Sequence, residues 1–159
     1  MGRTPYTNLL GYESREDLRI IDETMDLLGI SHLKNKGINE ISGGESQRTY
    51  IARALVQQPE IILLDEPNAH LDIKHQFGIF NLLRELNHKK ELTVIAVSHD
   101  LNLAGYYSQR ALLMKNGRIF LDEEIANVLT AGNIKNVFDV DSEILPYSES
   151  NGVKVILRP

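Results

Sequence analysis

Two short runs limit the architecture this chain can reach. Ile61-Ile62-Leu63-Leu64 and Val94-Ile95-Ala96-Val97 are continuous apolar stretches with no polar alternation. That pattern is the mark of strands covered on both faces, as in parallel sheets. Between them, from about Ile73 to His88, a helical period puts Ile79, Leu82, Leu83 and Leu86 on one face. Strand, helix and strand in this order predict an α/β core. Each run ends in polar residues, Asp65-Glu66-Pro67 after the first and Ser98-His99-Asp100 after the second. Those are carboxyl ends of strands, where α/β folds place ligands.

The flanks read differently. Residues 1–13 form a loop with Pro5, Asn8 and Gly11. Ser14 is placed to cap a helix over Arg15 to Leu28, with Leu18, Ile21, Met25 and Leu28 on one face and Gly29 as its stop. Residues 30–41 lack periodicity, and a second helix runs from about Glu45 to Gln57, ahead of Pro59. Beyond Val97 the pattern predicts a short helix over Asp100–Tyr107 and strands at Ala111–Lys115 and Arg118–Leu121. Asn116-Gly117 joins those strands as a two-residue turn. Short helices follow near Glu123–Leu129 and Asn133–Phe138, then a tail hairpin over Glu143–Pro159 turning at Ser150-Asn151-Gly152. The expected organisation is a helical subdomain over residues 1–58 and an α/β part over 59–159.

Composition narrows the function classes. A chain of 159 residues fits one ordinary domain and can bury a core, and 42% apolar with 25% charged residues argues against disorder. A net charge of -5 gives no reason to expect a nucleic-acid partner. The absence of cysteine excludes disulfides and thiolate metal sites. No apolar run reaches the length of a membrane span, and Met1 to Tyr6 show no signal-peptide core. Any membrane role has to come through a partner.

Three motifs carry chemistry. In Ser42-Gly43-Gly44-Glu45 the plain reading is a capping box, with Ser42 capping and Glu45 reaching back. The two glycines exceed it: they leave backbone N–H groups bare at a helix start, which is an anion site. In Asp65-Glu66 the plain reading is a buried strand ending in solvated acids. The alternative has Asp65 facing Mg²⁺ through water and Glu66 orienting or deprotonating a water that attacks a γ-phosphate. His99 after the second strand is either an ordinary surface residue or a hydrogen-bond donor to phosphate. His32, His70, His75 and His88 have no ligand spacing, and Lys89-Lys90 is a solvated helix end.

Taken together, these pieces resemble the ATP-binding subunits of ABC transporters. Ser42-Gly43-Gly44-Glu45-Ser46-Gln47 resembles their signature motif, with Ile41 and Glu45 replacing a leucine and a glutamine. Ile61–Asp65 resembles the Walker B strand, Glu66 the catalytic glutamate, Asn68–Asp72 the D-loop and His99 the switch histidine. Met1–Tyr6, Asp72-Ile73-Lys74-His75-Gln76 and the stretch from Val128 to Phe138 resemble importers of iron–siderophore, haem and cobalamin. The resemblance implies a partial P-loop NTPase core plus a helical signature subdomain, with ATP and Mg²⁺ as cofactors. It places Ser42, Gly43, Gly44, Glu45 and Asp72 at nucleotide, Asp65 at Mg²⁺, and Glu66 and His99 in catalysis. It also implies a second ABC ATPase subunit and transmembrane permease subunits as partners, and a cytoplasmic place on the inner face of the membrane.

One element of that family is missing from the sequence. A P-loop reads Gly-x-x-x-x-Gly-Lys-Ser/Thr, and no glycine here is followed by lysine. The Q-loop is missing as well. The resemblance therefore implies an N-terminally truncated subunit that holds Mg-ATP weakly on its own. Leu63 and Ile95 would then lack neighbours and expose apolar surface. Two alternatives stand beside the importer ATPase. One is a non-catalytic product that pairs with a complete subunit or is inactive. The other is a DNA-repair or chromosome-maintenance ATPase, disfavoured because no heptads are sustained.

Overall fold

The computed structural model describes residues 2–3, 13–147 and 152–158. The described chain forms two compact units, Met1–Val97 and Ser98–Pro159.

The first unit holds α1 (Arg15–Leu27), α2 (Gly43–Leu55), β1 (Ile61–Asp65), α3 (Ile73–Lys90) and β2 (Thr93–Val97). Ser14 and Asp17 close a capping box at the start of α1. The helix stops at Gly29, whose φ is +67°. There Gly29 N–H donates to Asp26 O and Ile30 N–H to Met25 O, the paired bonds of a Schellman end. The stretch from 30 to 41, which lacks periodicity, forms two 3₁₀ turns, Ser31–Leu33 and Ile38–Glu40. α3 crosses over between β1 and β2, which pair in parallel with Ile61 opposite Thr93 and Asp65 opposite Val97. Leu28, Ile51, Ile62, Ile79, Leu83 and Leu86 form the centre of a core that joins all three helices to one face of this sheet.

Among the described residues the other face of the sheet is exposed. Ile62 is buried, whereas its neighbours Ile61 and Leu63 are 56% and 73% exposed, and Ile95 and Val97 across the pair are 52% and 60% exposed. The sequence pattern predicts cover on both faces. The structure supplies it on one, because every helix of this unit packs to the side of Ile62. Leu63 and Ile95 are exposed, as expected of them.

The second unit holds α4 (Leu101–Tyr107), β3 (Arg110–Lys115), β4 (Arg118–Glu124), α5 (Ile125–Val128), α6 (Ala131–Phe138), β5 (Asp141–Pro146) and β6 (Val153–Arg158). Both hairpins are antiparallel. Asn116 and Gly117 take φ of 51° and 72°, which suits a turn whose two central residues are both left-handed. β4 runs further than its apolar residues suggest. Glu123 and Glu124 pair with Ala111 and Arg110, so α5 begins only at Ile125. The tail hairpin forms as expected, and Tyr147 N–H donates to Gly152 O across its end. Ser150 and Asn151 of the anticipated turn lie outside the described residues, as do most of residues 1–13. Val128, Leu129, Ile134, Val153 and Val155 fill this unit's core.

Candidate functional site

The start of α2 is built as its sequence predicts. Ser42 adopts extended backbone and its hydroxyl accepts from Glu45 N–H at 3.3 Å. Glu45 Oε2 accepts in return from Ser42 N–H at 2.8 Å and from Ser42 Oγ at 2.7 Å. Its other oxygen meets His32 Nε2 at 3.1 Å. Chiefly the Ser42 backbone N–H, then its hydroxyl, then His32, hold the Glu45 carboxyl down to about 2. Glu45 is thus a fixed anion turned back on the cap. The glycines beside it occupy the first turn, where a helix offers its own N–H groups no carbonyl partner.

Those glycines abut the start of α3. Gly43 faces Leu71, with room for an ordinary methyl contact at 3.6 Å from Leu71 Cδ2. Gly44 is buried under the imidazole of His75. Asp72 caps α3 and accepts from His75 N–H at 2.9 Å. The same oxygen pairs with His75 Nδ1 at 2.8 Å, and these bonds lower the Asp72 carboxyl, the backbone one most. Gly43 and Gly44 are therefore brought beside the Leu71–His75 stretch that includes Asp72.

Asp65 ends β1, exposed, opposite Val97 in the register. Glu66 follows with φ of +43°, in the left-handed region that a glutamate seldom occupies, and its N–H donates to Val97 O at 3.0 Å. That bend leaves the two acids together at the carboxyl end of the sheet. The turn from Glu66 to Asp72 then folds on itself. Ala69 N–H donates to Glu66 O at 2.9 Å, Pro67 and Asn68 are buried, and His70 takes φ of +61°. Gln76 Nε2 reaches back to Leu71 O at 3.0 Å and Asn68 O at 3.4 Å.

His99 belongs to the second unit, exposed between Ser98 and Asp100. Asp100 caps α4 by accepting from the N–H groups of Asn102 and Leu103, both at 2.9 Å, and its own N–H donates to Ser98 Oγ at 3.1 Å.

Hard carboxylate oxygens suit Mg²⁺ better than a softer ion. Among the described residues no three potential ligands cluster. Asp65 offers such carboxylate oxygens, exposed at the end of β1. The sequence motifs assign no role to His32, His75 or Gln76. The spacing Asp72-x-x-His75 repeats that of Ser42-x-x-Glu45, a cap and its third helical position, and is the one signal that marks His75.

Comparison with known proteins gives a consistent picture. Residues 3–69 match the family model for the ABC transporter domain. The siderophore transport system ATP-binding protein YusV of Bacillus subtilis is 37% identical over 143 residues, covering 90% of this chain and 52% of that protein. An inward-facing metal-chelate type ABC transporter superposes with a TM-score of 0.90 at 27% identity, over 100% of this chain and 64% of that one. The ATP-binding cassette MJ0796, solved as a dimer in a post-hydrolysis state with ADP and phosphate, gives 0.61 at 35% identity, over 72% and 50%. The chain spans about half the length of the curated relatives it matches.

Proposed function

This chain belongs to the ABC transporter family, and we propose that it serves in the ATP-binding and hydrolysing subunit of an importer of iron–siderophore, haem or cobalamin complexes. The observation that carries the reading is the meeting of two helix starts. The Gly43–Gly44 turn of α2 lies against Leu71 and His75 at the head of α3, beside the Asp72 cap. Bare amides at a helix start favour a phosphate.

The roles follow from chemistry. Ser42 and the glycine amides face a nucleotide held on the P-loop of a second ABC ATPase subunit, with Asp72 beside them. Asp65 takes the water shell of Mg²⁺, an ion that neutralises charge on the phosphates when bound. Glu66 orients or deprotonates the attacking water, and His99 donates to a phosphate oxygen. Since no glycine precedes a lysine in these 159 residues, the P-loop that grips ATP comes from outside them. No described helix is long and apolar enough to cross a membrane. In this reading the chain sits on the cytoplasmic face through permease subunits.

The test mixes the chain with a cassette that keeps its P-loop but has its own signature serine replaced by arginine. ATP turnover is expected to rise when the chain is added and to vanish with Ser42→Arg in this chain. Equal turnover with the wild type and with Ser42→Arg sinks the proposal. Turnover restored by pairing, with none from the chain alone, supports a signature-bearing half that completes a partner's site.

A further inference from the structure

The helix starts that carry Ser42–Glu45 and Asp72 are joined by His75, a residue to which the motifs assign no role. A Cβ placed on Gly44 would lie 2.3 Å from His75 Cδ2, 2.9 Å from Cγ and 3.1 Å from Nε2. Real carbon atoms do not approach so closely, so the ring rests on the bare Cα of the glycine. On its other side Nδ1 holds Asp72 Oδ1 at 2.8 Å. The ring thus spans from the first turn of α2 to the cap of α3. Gln76, the next residue, fastens the turn that precedes this cap by donating to Leu71 O.

Gly44 has no left-handed backbone to justify it, since it lies within α2 and only Gly29 and Gly117 take positive φ among the described glycines. In a helix interior glycine is inferior to alanine. Beyond any role of its amide, the glycine leaves the space that the imidazole occupies. We propose that His75 is a positioning residue: by standing on Gly44 while bonded to Asp72, it holds the α2 amides in register with the α3 cap. The proposal rests on the reading of these two helix starts as a nucleotide-facing surface. It adds the residue that makes them one rigid element. Small misplacements of such groups have large effects on rate.

The test is a cycle in the full chain of Gly44→Ala, His75→Ala and the double variant. With His75 present, Gly44→Ala is expected to lower the urea midpoint, because the new methyl displaces the ring. With His75→Ala the same change is expected to lower it less or to raise it. Equal effects in both backgrounds overturn the proposal. Where a variant folds too poorly for a melt, NMR of wild type and His75→Ala decides. The Gly44 α-proton shifts move when the ring is removed, and unchanged shifts overturn the contact.

In the mixed-cassette assay His75→Ala is expected to raise the ATP concentration for half-maximal turnover about tenfold, with the maximal rate less affected. Failure of the wild-type chain to stimulate turnover sinks the nucleotide-facing reading, and with it the catalytic part of this proposal, while the cycle still decides the coupling of His75 to Gly44. Stimulation that His75→Ala leaves unchanged sinks the positioning role alone.

Discussion

Arg3 and Asp17 meet at 2.6 Å with side chains only 9% and 4% exposed, an ion pair almost wholly out of water. Arg3 also donates to Val56 O at 3.2 Å, at the end of α2. Asp17 accepts from Ser14 N–H at 2.9 Å and from its hydroxyl at 2.7 Å, completing the cap of α1. The carboxylate thus serves a helix start and holds Arg3, whose guanidinium reaches on to the end of α2.

Its titration gives the first prediction. The Ser14 hydroxyl, then the Ser14 N–H, then Arg3 hold the Asp17 carboxyl at about 2, against an ordinary 3.8. A carboxyl lowered in the folded state binds its proton later than in the unfolded state. Its stabilisation is complete above the ordinary value and drains as pH falls toward 2. Glu45, lowered from 4.5 to about 2, acts in the same direction. Urea midpoints of the wild type should therefore fall between pH 4.5 and 2. Asp17→Asn should lower the midpoint at neutral pH and flatten that fall. A slope unchanged by the substitution argues against the pairing.

The sheet gives the second. Ile62 and Leu63 are adjacent and similar in chemistry, yet one is 3% exposed and the other 73%. Ile62→Ala is expected to cost about 2–5 kcal/mol, the range for emptying a core site. Leu63→Thr should cost less than about 0.5 kcal/mol, as surface changes do, and should lower light scattering by shrinking an apolar patch. Chemical denaturation and scattering of both variants check this. Equal costs at the two positions contradict the one-sided sheet.

This contrast marks what the sequence could and could not disclose. Apolar runs without alternation identify strands, so β1 and β2 were legible, as were the crossover helix and the Asn116-Gly117 turn. A run does not say which of its faces finds a partner, because Ile62 and Leu63 look alike until the helices are placed. Local pairs were legible for the same reason that they are local: Ser42 and Glu45 lie three residues apart on one turn. His75 was not, because its partner Gly44 is distant in the chain and the contact is made by an absent side chain. Nor was the left-handed backbone at Glu66, since glutamate carries no preference for it.

Arg48 gives the third prediction. From the middle of α2 its guanidinium donates to Leu28 O at 3.0 Å, one of the carbonyls left open at the end of α1. A charged donor there also suits the negative end of the helix dipole. Arg48→Ala is expected to cost about 1.5–3 kcal/mol, the range for a hydrogen bond to a charged group. Arg48→Lys should recover part of it. A denaturation curve for Arg48→Ala that overlays the wild type removes this link between α1 and α2.

Glu66 separates conformational strain from chemistry. Its φ of +43° bends the chain just after β1. Residues other than glycine pay about 1 kcal/mol for such a backbone. Replacing Glu66 by alanine or by glycine removes the same carboxylate, but only glycine relieves the angle. At an ordinary loop position alanine is the more stable of the two, through its stiffer unfolded chain. Here the order should reverse, with Glu66→Gly more stable than Glu66→Ala by about 1 kcal/mol in urea denaturation. A carboxylate that orients the attacking water predicts something further for a chain supplied with a P-loop: Glu66→Gly, Glu66→Ala and Glu66→Gln should all lose turnover, whatever their order of stability. If turnover instead follows stability across the three, the bend serves the fold and the acid does not touch the reaction.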